Sequence, residues 1–367
     1  MNMIVSQVAT YVASSDCQAI ADDALKDEDN GLWLMAVPAS MHQSWFQRFQ
    51  WIRWLDRLAE QDQIVQAGGV EFAAFRAAWQ QLATTGQLPT QTDHSGMAGG
   101  AWPILEDLHR TWFADGKPGD HPLEMAGWQE YVDAIARYHR PHFTLETLAD
   151  YEAMLDHLAG ACFQFLPDLT PEQRAIARPF GMVDQCYNIL RDLYEDARQG
   201  ICYFPQEVLQ EFGVTVAEIL NFTCFDNPGY RPLMAFWLQD YLPQLRRRTA
   251  PFLQSAPMHP TWQALILWFI HRYHRIEAVM AACDDNFVTF ASRHWAQVAG
   301  ELQHQRQLGC ANLQAWQQRF YHPQALADFV GLPQGQFHFH AEADDGLMAA
   351  RSNDGGHRIE SRVIGEH

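Results

Sequence analysis

Apolar residues recur at i, i+3 and i+4 along most of the chain, the spacing that lines one face of an α-helix. That spacing predicts helices over residues 45–61, 72–82, 128–139, 145–165, 182–197, 205–212, 216–220, 232–253, 261–282 and 286–307. Helix starts are marked at Thr144-Leu-Glu-Thr147, Thr170-Pro-Glu-Gln173 and Thr215, where a hydroxyl can cap the free N–H groups and an acid in the first turn meets the helix dipole. No two segments alternate apolar and polar residues as half-buried strands do. The predicted class is therefore all-α, as one large helical domain over residues 1–340. Residues 83–104, rich in Thr, Gly, Pro and Gln, read as a loop, and residues 341–367 as a polar, disordered tail. No repeat of 20 to 50 residues is evident, which favours a compact bundle over a solenoid.

Composition narrows the function. Hydrophobic residues make up 48% of the 367 and aromatic ones 13%, ample for a large core, so collagen-like and disordered readings are out. The 44 acidic side chains outnumber the 25 basic ones, and Lys26 and Lys117 are the only lysines. That balance argues against a nucleic-acid partner, and an anionic substrate would have to be met by arginine or metal ions. Seven cysteines without a CxxC pair suit reduced thiols. The N-terminal stretch has neither a basic n-region nor an apolar h-region, so a cytoplasmic location is expected. The most apolar stretch, residues 262–270, is too short to span a bilayer but is a candidate for contact with a membrane surface.

The candidate chemistry lies in the helix that ends at residue 197. Met182, Val183, Cys186, Ile189, Leu190 and Leu193 form its apolar side, while Gln185, Asn188, Asp192 and Asp196 fall on one polar face at 0, +3, +7 and +11. Two acids one turn apart repel unless a cation shares them. Mg²⁺ suits that role, because it takes oxygen ligands and is usually bound by one or two carboxylates together with substrate phosphates. A bare DxxxD is more often a solvated acidic face. A second stripe lies on the tryptophan-rich helix, where Arg53, Asp56 and Glu60 sit at 0, +3 and +7; alone it is a pattern of surface ion pairs.

The ordered run from Asn188 through Asp196 to Tyr203 and Pro205 resembles the second aspartate-rich motif of the squalene and phytoene synthase family, NILRDxxEDxxxGRxYLP. Pro38, Arg53 and Asp56 reproduce the spacing of that family's first motif, with Asp56-Arg-Leu-Ala-Glu60 standing where the family shows DDxxD. Residues 143–160 resemble a further family stretch, in which Ala159 and Gly160 would let a substrate chain pass close to the backbone; a helix–helix contact through small residues is the equal alternative. Tyr230 to Phe236 and Tyr273 to Glu277 also sit in family order. The resemblance covers roughly residues 31–300. It implies a single helical bundle of the class I isoprenoid synthase type. It implies Mg²⁺ held by Asp56, Glu60, Asp192 and Asp196, which are also the catalytic set, and prenyl diphosphate contacts from Arg53, Gln185, Asn188, Arg191, Tyr203 and Gly160.

The implied activity is a prenyltransferase reaction, head-to-head condensation of two farnesyl or geranylgeranyl diphosphates through a cyclopropylcarbinyl diphosphate. The products would be squalene- or phytoene-like precursors of carotenoids or hopanoids. Peripheral membrane contact fits such apolar products, and no obligate protein partner is implied. The first motif departs from the family at Arg57, Glu60 and Phe49, and Asp27-Glu-Asp-Asn30 replaces its serine-x-serine-phenylalanine. These departures keep two alternatives open: a member giving a different terpene, and a non-catalytic binding or assembly protein. The 17 histidines show no HExxH or His–Cys spacing, and no Gly-rich nucleotide loop occurs, so neither a histidine metal site nor an NADPH site is expected.

Overall fold

A computed structural model describes residues 21–64, 69–90, 101–113, 121–139, 143–255, 257–308, 315 and 323–333. The proposed tail at 341–367 lies outside them, as do Cys17, Lys117 and Cys310.

Among the described residues every regular element is a helix. The longer ones are α1 (Ala21–Gly31), α2 (His42–Ile64), α3 (Val70–Thr85), α4 (Ala101–Trp112) and α5 (Pro122–Tyr138). They are followed by α6 (Leu148–Leu155), a π-helical turn (Asp156–Gly160), α7 (Ala161–Phe165) and α8 (Pro171–Arg198). After α8 come α9 (Gln206–Glu211), α10 (Val216–Leu220), α11 (Tyr230–Ala235), a second π-helical turn (Phe236–Tyr241), α12 (Leu242–Arg247) and α13 (Ala250–Leu253). The last three are α14 (Pro260–Ala282), α15 (Phe287–Leu308) and α16 (Pro323–Val330). Thr147, Thr170 and Thr215 each form a full capping box with the residue three positions on. The cap of α6 is thus Thr147, not Thr144, and the helix begins three residues later than its apolar spacing suggests. The stretch read as a loop at 83–104 is shorter than expected: α3 runs to Thr85 and α4 opens at Ala101.

Helix α8 is the axis of the bundle. It touches α6, the first π-turn, α7, α10, and α12 to α15. The approach is closest where Gly181 faces the π-turn: a Cβ there would sit 2.3 Å from the Ala159 carbonyl oxygen. Glycine at 181 is what lets the two backbones touch. The expected apolar face of α8 is buried throughout, from Met182 to Leu193. Most tryptophans are core. Trp51, Trp79, Trp112 and Trp128 pack edge to face with centroids 5.2 to 6.3 Å apart, an arrangement their ring quadrupoles favour. Residues 262–270 lie inside the bundle on α14, so this stretch offers no apolar face to a membrane surface. Among the described residues no helix is long and apolar enough to cross a membrane. The five described cysteines are free and buried.

Candidate active site

The helices enclose a cavity of about 590 Å³ between α1, α2, α5, the first π-turn, α8 and α14. Of the residues expected at a site, Arg53, Asp56, Gln185, Asn188, Arg191, Asp192, Asp196 and Tyr203 line it. The two stripes, well over a hundred positions apart in the chain, therefore line one cavity. Glu60 lies on α2, but its side chain is outside what the structure describes. Gly160 is not on the wall. A Cβ there would meet Asp156 Oδ1 at 2.6 Å, with the Arg178 carbonyl oxygen of α8 at 3.5 Å, and it is Leu158 and Ala159 that face the cavity. Of the two small residues of the π-turn, Ala159 lines the cavity while its backbone and that of Gly160 meet Gly181 of α8.

Charged side chains on the wall form a linked cluster. Arg191 grips Asp192 with Nε to Oδ1 at 2.8 Å and Nη2 to Oδ2 at 2.7 Å, and Lys26 Nζ lies 3.2 Å from the same Oδ2. On the α2 side, Asp27 accepts from Arg53 Nε and Arg57 Nη2, both at 2.6 Å. Arg53 Nη1 donates to Asp56 at 3.1 Å, and His139 Nε2 lies 3.3 Å from the other Asp56 oxygen. Asp184 accepts from the Tyr273 hydroxyl at 3.0 Å and from Asn188 Nδ2 at 3.1 Å. Sequence reasoning did not single out Lys26, Asp184 or His139. Asp184 stands one turn before Asn188 on the same face, a signal that was available. Lys26 and His139 come from distant elements, and no local spacing joins them to the acids.

Burial alone would raise the Asp192 carboxyl, yet Arg191 and then Lys26 outweigh it and hold that carboxyl below the usual range. Asp196 goes the other way: burial and the neighbouring Asp192 charge push it well up. Its carboxylate makes no hydrogen bond or ion pair among the described residues. Asp56 is held down because hydrogen bonding and charge from His139, with help from Arg53, outweigh its burial. Along the described wall, Asp27, Asp56, Asp184, Asp192 and Asp196 face Lys26, Arg53, Arg57 and Arg191, an excess of one negative charge.

The donor set fits a divalent cation on the α8 side. Asp196 is an unsatisfied oxygen donor one turn from Asp192, and Asn188 and Gln185 add oxygens on the same face. Among the described residues no group of three His, Cys, Asp or Glu side chains could hold a metal ion. Most of the rest of the wall is apolar, with Phe46, Phe49, Trp54, Phe163 and Phe269 among it, beside the polar Asn30 and Gln50. The site can therefore take a ligand with an anionic head and a long hydrocarbon tail.

Comparison with known proteins points the same way. The sequence profile of the squalene/phytoene synthase family matches residues 25–299. A 15-cis-phytoene synthase from Synechococcus elongatus is 37% identical over 101 residues, which is 27% of this chain and 31% of that protein. A chloroplastic phytoene synthase from Daucus carota is 30% identical over 189 residues, 46% of this chain and 43% of that protein. The chain thus spans between about a fifth and less than half of the length of the curated relatives it matches. Two solved structures share the fold at 16% identity. They are a squalene synthase from Alicyclobacillus acidocaldarius (TM-score 0.54, 77% of this chain and 95% of that one) and a dehydrosqualene synthase with bound ligand (TM-score 0.52, 83% and 98%).

Proposed function

The chain belongs to the squalene/phytoene synthase family, and from that premise we propose that it joins two prenyl diphosphates, farnesyl or geranylgeranyl, head to head through a cyclopropylcarbinyl diphosphate. The observation that carries the reading is the meeting of the Arg53–Asp56 and Asp192–Asp196 stripes on one cavity whose remaining wall is mostly apolar. Asp192 and Asp196, with Asp56 across the cavity, are the residues that would hold Mg²⁺, and Glu60 belongs to the same proposal by its place on α2. When bound, the metal would neutralise charge on the departing diphosphate.

The chain's own groups do the rest. Arg53 and Arg57, held in orientation by Asp27, present guanidinium forks whose charge-assisted hydrogen bonds suit phosphate oxygens. These bonds strengthen as the C–O bond breaks and charge gathers on the leaving group, which is where preorganised donors lower a barrier. The allylic cation left behind is shielded from water by the apolar wall. Aromatic faces such as Phe46, Phe49 and Trp54 can stabilise it by about 0.5 to 2 kcal/mol each. The double bond of the second substrate then supplies the electron pair for the new C–C bond, and a proton leaves to close the cyclopropane ring.

A second reading is favoured by the Arg57–Asp27 pair, which puts a cation where the family has a carboxylate: the outcome is a different terpene product. Both are tested by incubating the purified protein with Mg²⁺ and each prenyl diphosphate and identifying the products by mass spectrometry, beside Asp192→Asn. The expected result is a linear C30 or C40 product, with loss of at least about a hundredfold in the variant, as for removal of a principal charge-stabilising group. A cyclised or hydrolysed product would favour the second reading. Full activity in Asp192→Asn would overturn the metal assignment, and binding without any turnover would leave a binding or assembly protein.

A further inference from the structure

Four consecutive residues of α1 reach four different helices. Lys26 pairs with Asp192 on α8, and Asp27 with Arg53 and Arg57 on α2. Glu28 pairs with Arg306 on α15, at 2.6 Å from Nε, and Asp29 with Arg272 and Arg275 on α14. The last three pairs fix the helix against its neighbours. The first is different in kind, because its acceptor is one of the proposed metal ligands.

Both oxygens of Asp192 are occupied: Oδ1 by Arg191, and Oδ2 by Arg191 and Lys26 together. A divalent cation drawn to this carboxylate competes with two positive groups already on it, and it gains most if one of them gives ground. Arg191 is buried, its guanidinium lies 5.6 Å from the face of Trp295, and both of its contacts to Asp192 form a planar fork. Lys26 also sits over Trp295, its Nζ 5.7 Å from the ring centre, but it holds Asp192 through one ion pair on a flexible four-carbon stem, and its side chain keeps 17% exposure. It also lines the cavity, beside Arg53 and Arg57 on the α2 side.

Resting on the function proposed above, we propose that Lys26 is a resident counter-cation. It neutralises Asp192 until a divalent metal arrives, then yields the carboxylate and passes its charge to the diphosphate brought in with that metal. Lys26 is thus a positioning residue that couples the two binding events. The N-terminal KDED segment holds it at the meeting point of the two stripes. The coupling has a sign that a merely structural role does not: Lys26 opposes binding of the metal alone and favours binding of the diphosphate.

The test compares the full chain with Lys26→Gln, Lys26→Arg and Glu28→Gln. Mn²⁺ binding without diphosphate is followed by electron paramagnetic resonance. Binding of inorganic diphosphate at saturating Mn²⁺ is followed by calorimetry. Removing one partly buried charge of this kind is worth roughly fivefold or more in affinity. Lys26→Gln is therefore expected to bind Mn²⁺ about fivefold tighter and diphosphate about fivefold weaker. Lys26→Arg, which keeps the charge, should stay near the wild type in both. Glu28→Gln, which loosens the same helix away from the cavity, should change neither by more than about twofold. Affinities that fall together in Lys26→Gln, an unchanged Mn²⁺ affinity, or the same pattern in Glu28→Gln would each overturn the coupling while leaving the function standing. A wild-type protein that binds neither Mn²⁺ nor diphosphate would overturn the function and the coupling with it.

Discussion

Replacing Asp29 with Asn should destabilise the protein by about 3 kcal/mol. The carboxylate is 1% exposed, and its Oδ2 takes Arg272 Nε at 3.2 Å together with Arg275 Nη2. Both arginines are buried as well. Breaking a buried ion pair from one side costs about 3 to 5 kcal/mol, because the charge left behind can no longer be solvated. Two features set the lower end here. Arg275 keeps Glu301 at 2.7 Å, and Arg272 keeps Asp184, although only at 3.8 Å. The assay is urea unfolding followed by far-UV circular dichroism. For a chain this long a slope near about 3 kcal/mol/M is expected, so the midpoint should fall by about 1 M. Glu28→Gln is the internal contrast: Arg306 is 44% exposed, and such pairs are worth about 0 to 1 kcal/mol. A midpoint for Asp29→Asn within about 0.2 M of the wild type, at unchanged slope, would refute the argument that α1 is anchored through buried charge.

Three further substitutions probe the packing and the pH response. Gly181→Ala drives a Cβ to 2.3 Å from the Ala159 carbonyl oxygen, a backbone atom that cannot turn aside. It should cost about 2 kcal/mol in urea unfolding despite the gain in helix propensity, and should lower turnover by shifting the cavity wall at Ala159. Gly300→Ala, with nothing within 4 Å, should instead be neutral or stabilising by up to about 1 kcal/mol. His294 is fully buried, and burial followed by the Arg275 charge pushes its imidazole down to about 2. It stays neutral in the folded chain, whereas the unfolded chain takes up a proton below about pH 6.5. The wild type should therefore lose about 1.4 kcal/mol per pH unit through this group as pH falls below 6.5, and about 2 kcal/mol by pH 5. His294→Phe should lack that component when urea midpoints are compared at pH 7 and pH 5; equal pH dependence in the two proteins would contradict it.

The sequence by itself determined most of the helices, though not α1, α4 or α16, and it did so because burial of one face repeats every 3.6 residues and caps are local. All three threonine caps belong to real helix starts, and the six apolar positions expected on α8 are buried. It also determined which acids share a face, since Gln185, Asn188, Asp192 and Asp196 need only helix geometry to line up. What lies opposite that face was decided by the tertiary structure. Lys26 and Asp192 are 166 positions apart, and His139 meets Asp56 from the end of another helix. No periodicity encodes such distances. The π-turn shows the limit from the other side: small residues next to a motif suit either a passing substrate or a neighbouring backbone, and only the bundle put Ala159 on the cavity and Gly160 beside α8. The charge on each acid was settled in the same way. Asp192 and Asp196 are alike in sequence, one turn apart, yet Arg191 and Lys26 hold the first low while burial beside that first charge drives the second up. Electrostatic character depends on which charges packing brings within a few ångströms, and packing is a property of the whole bundle.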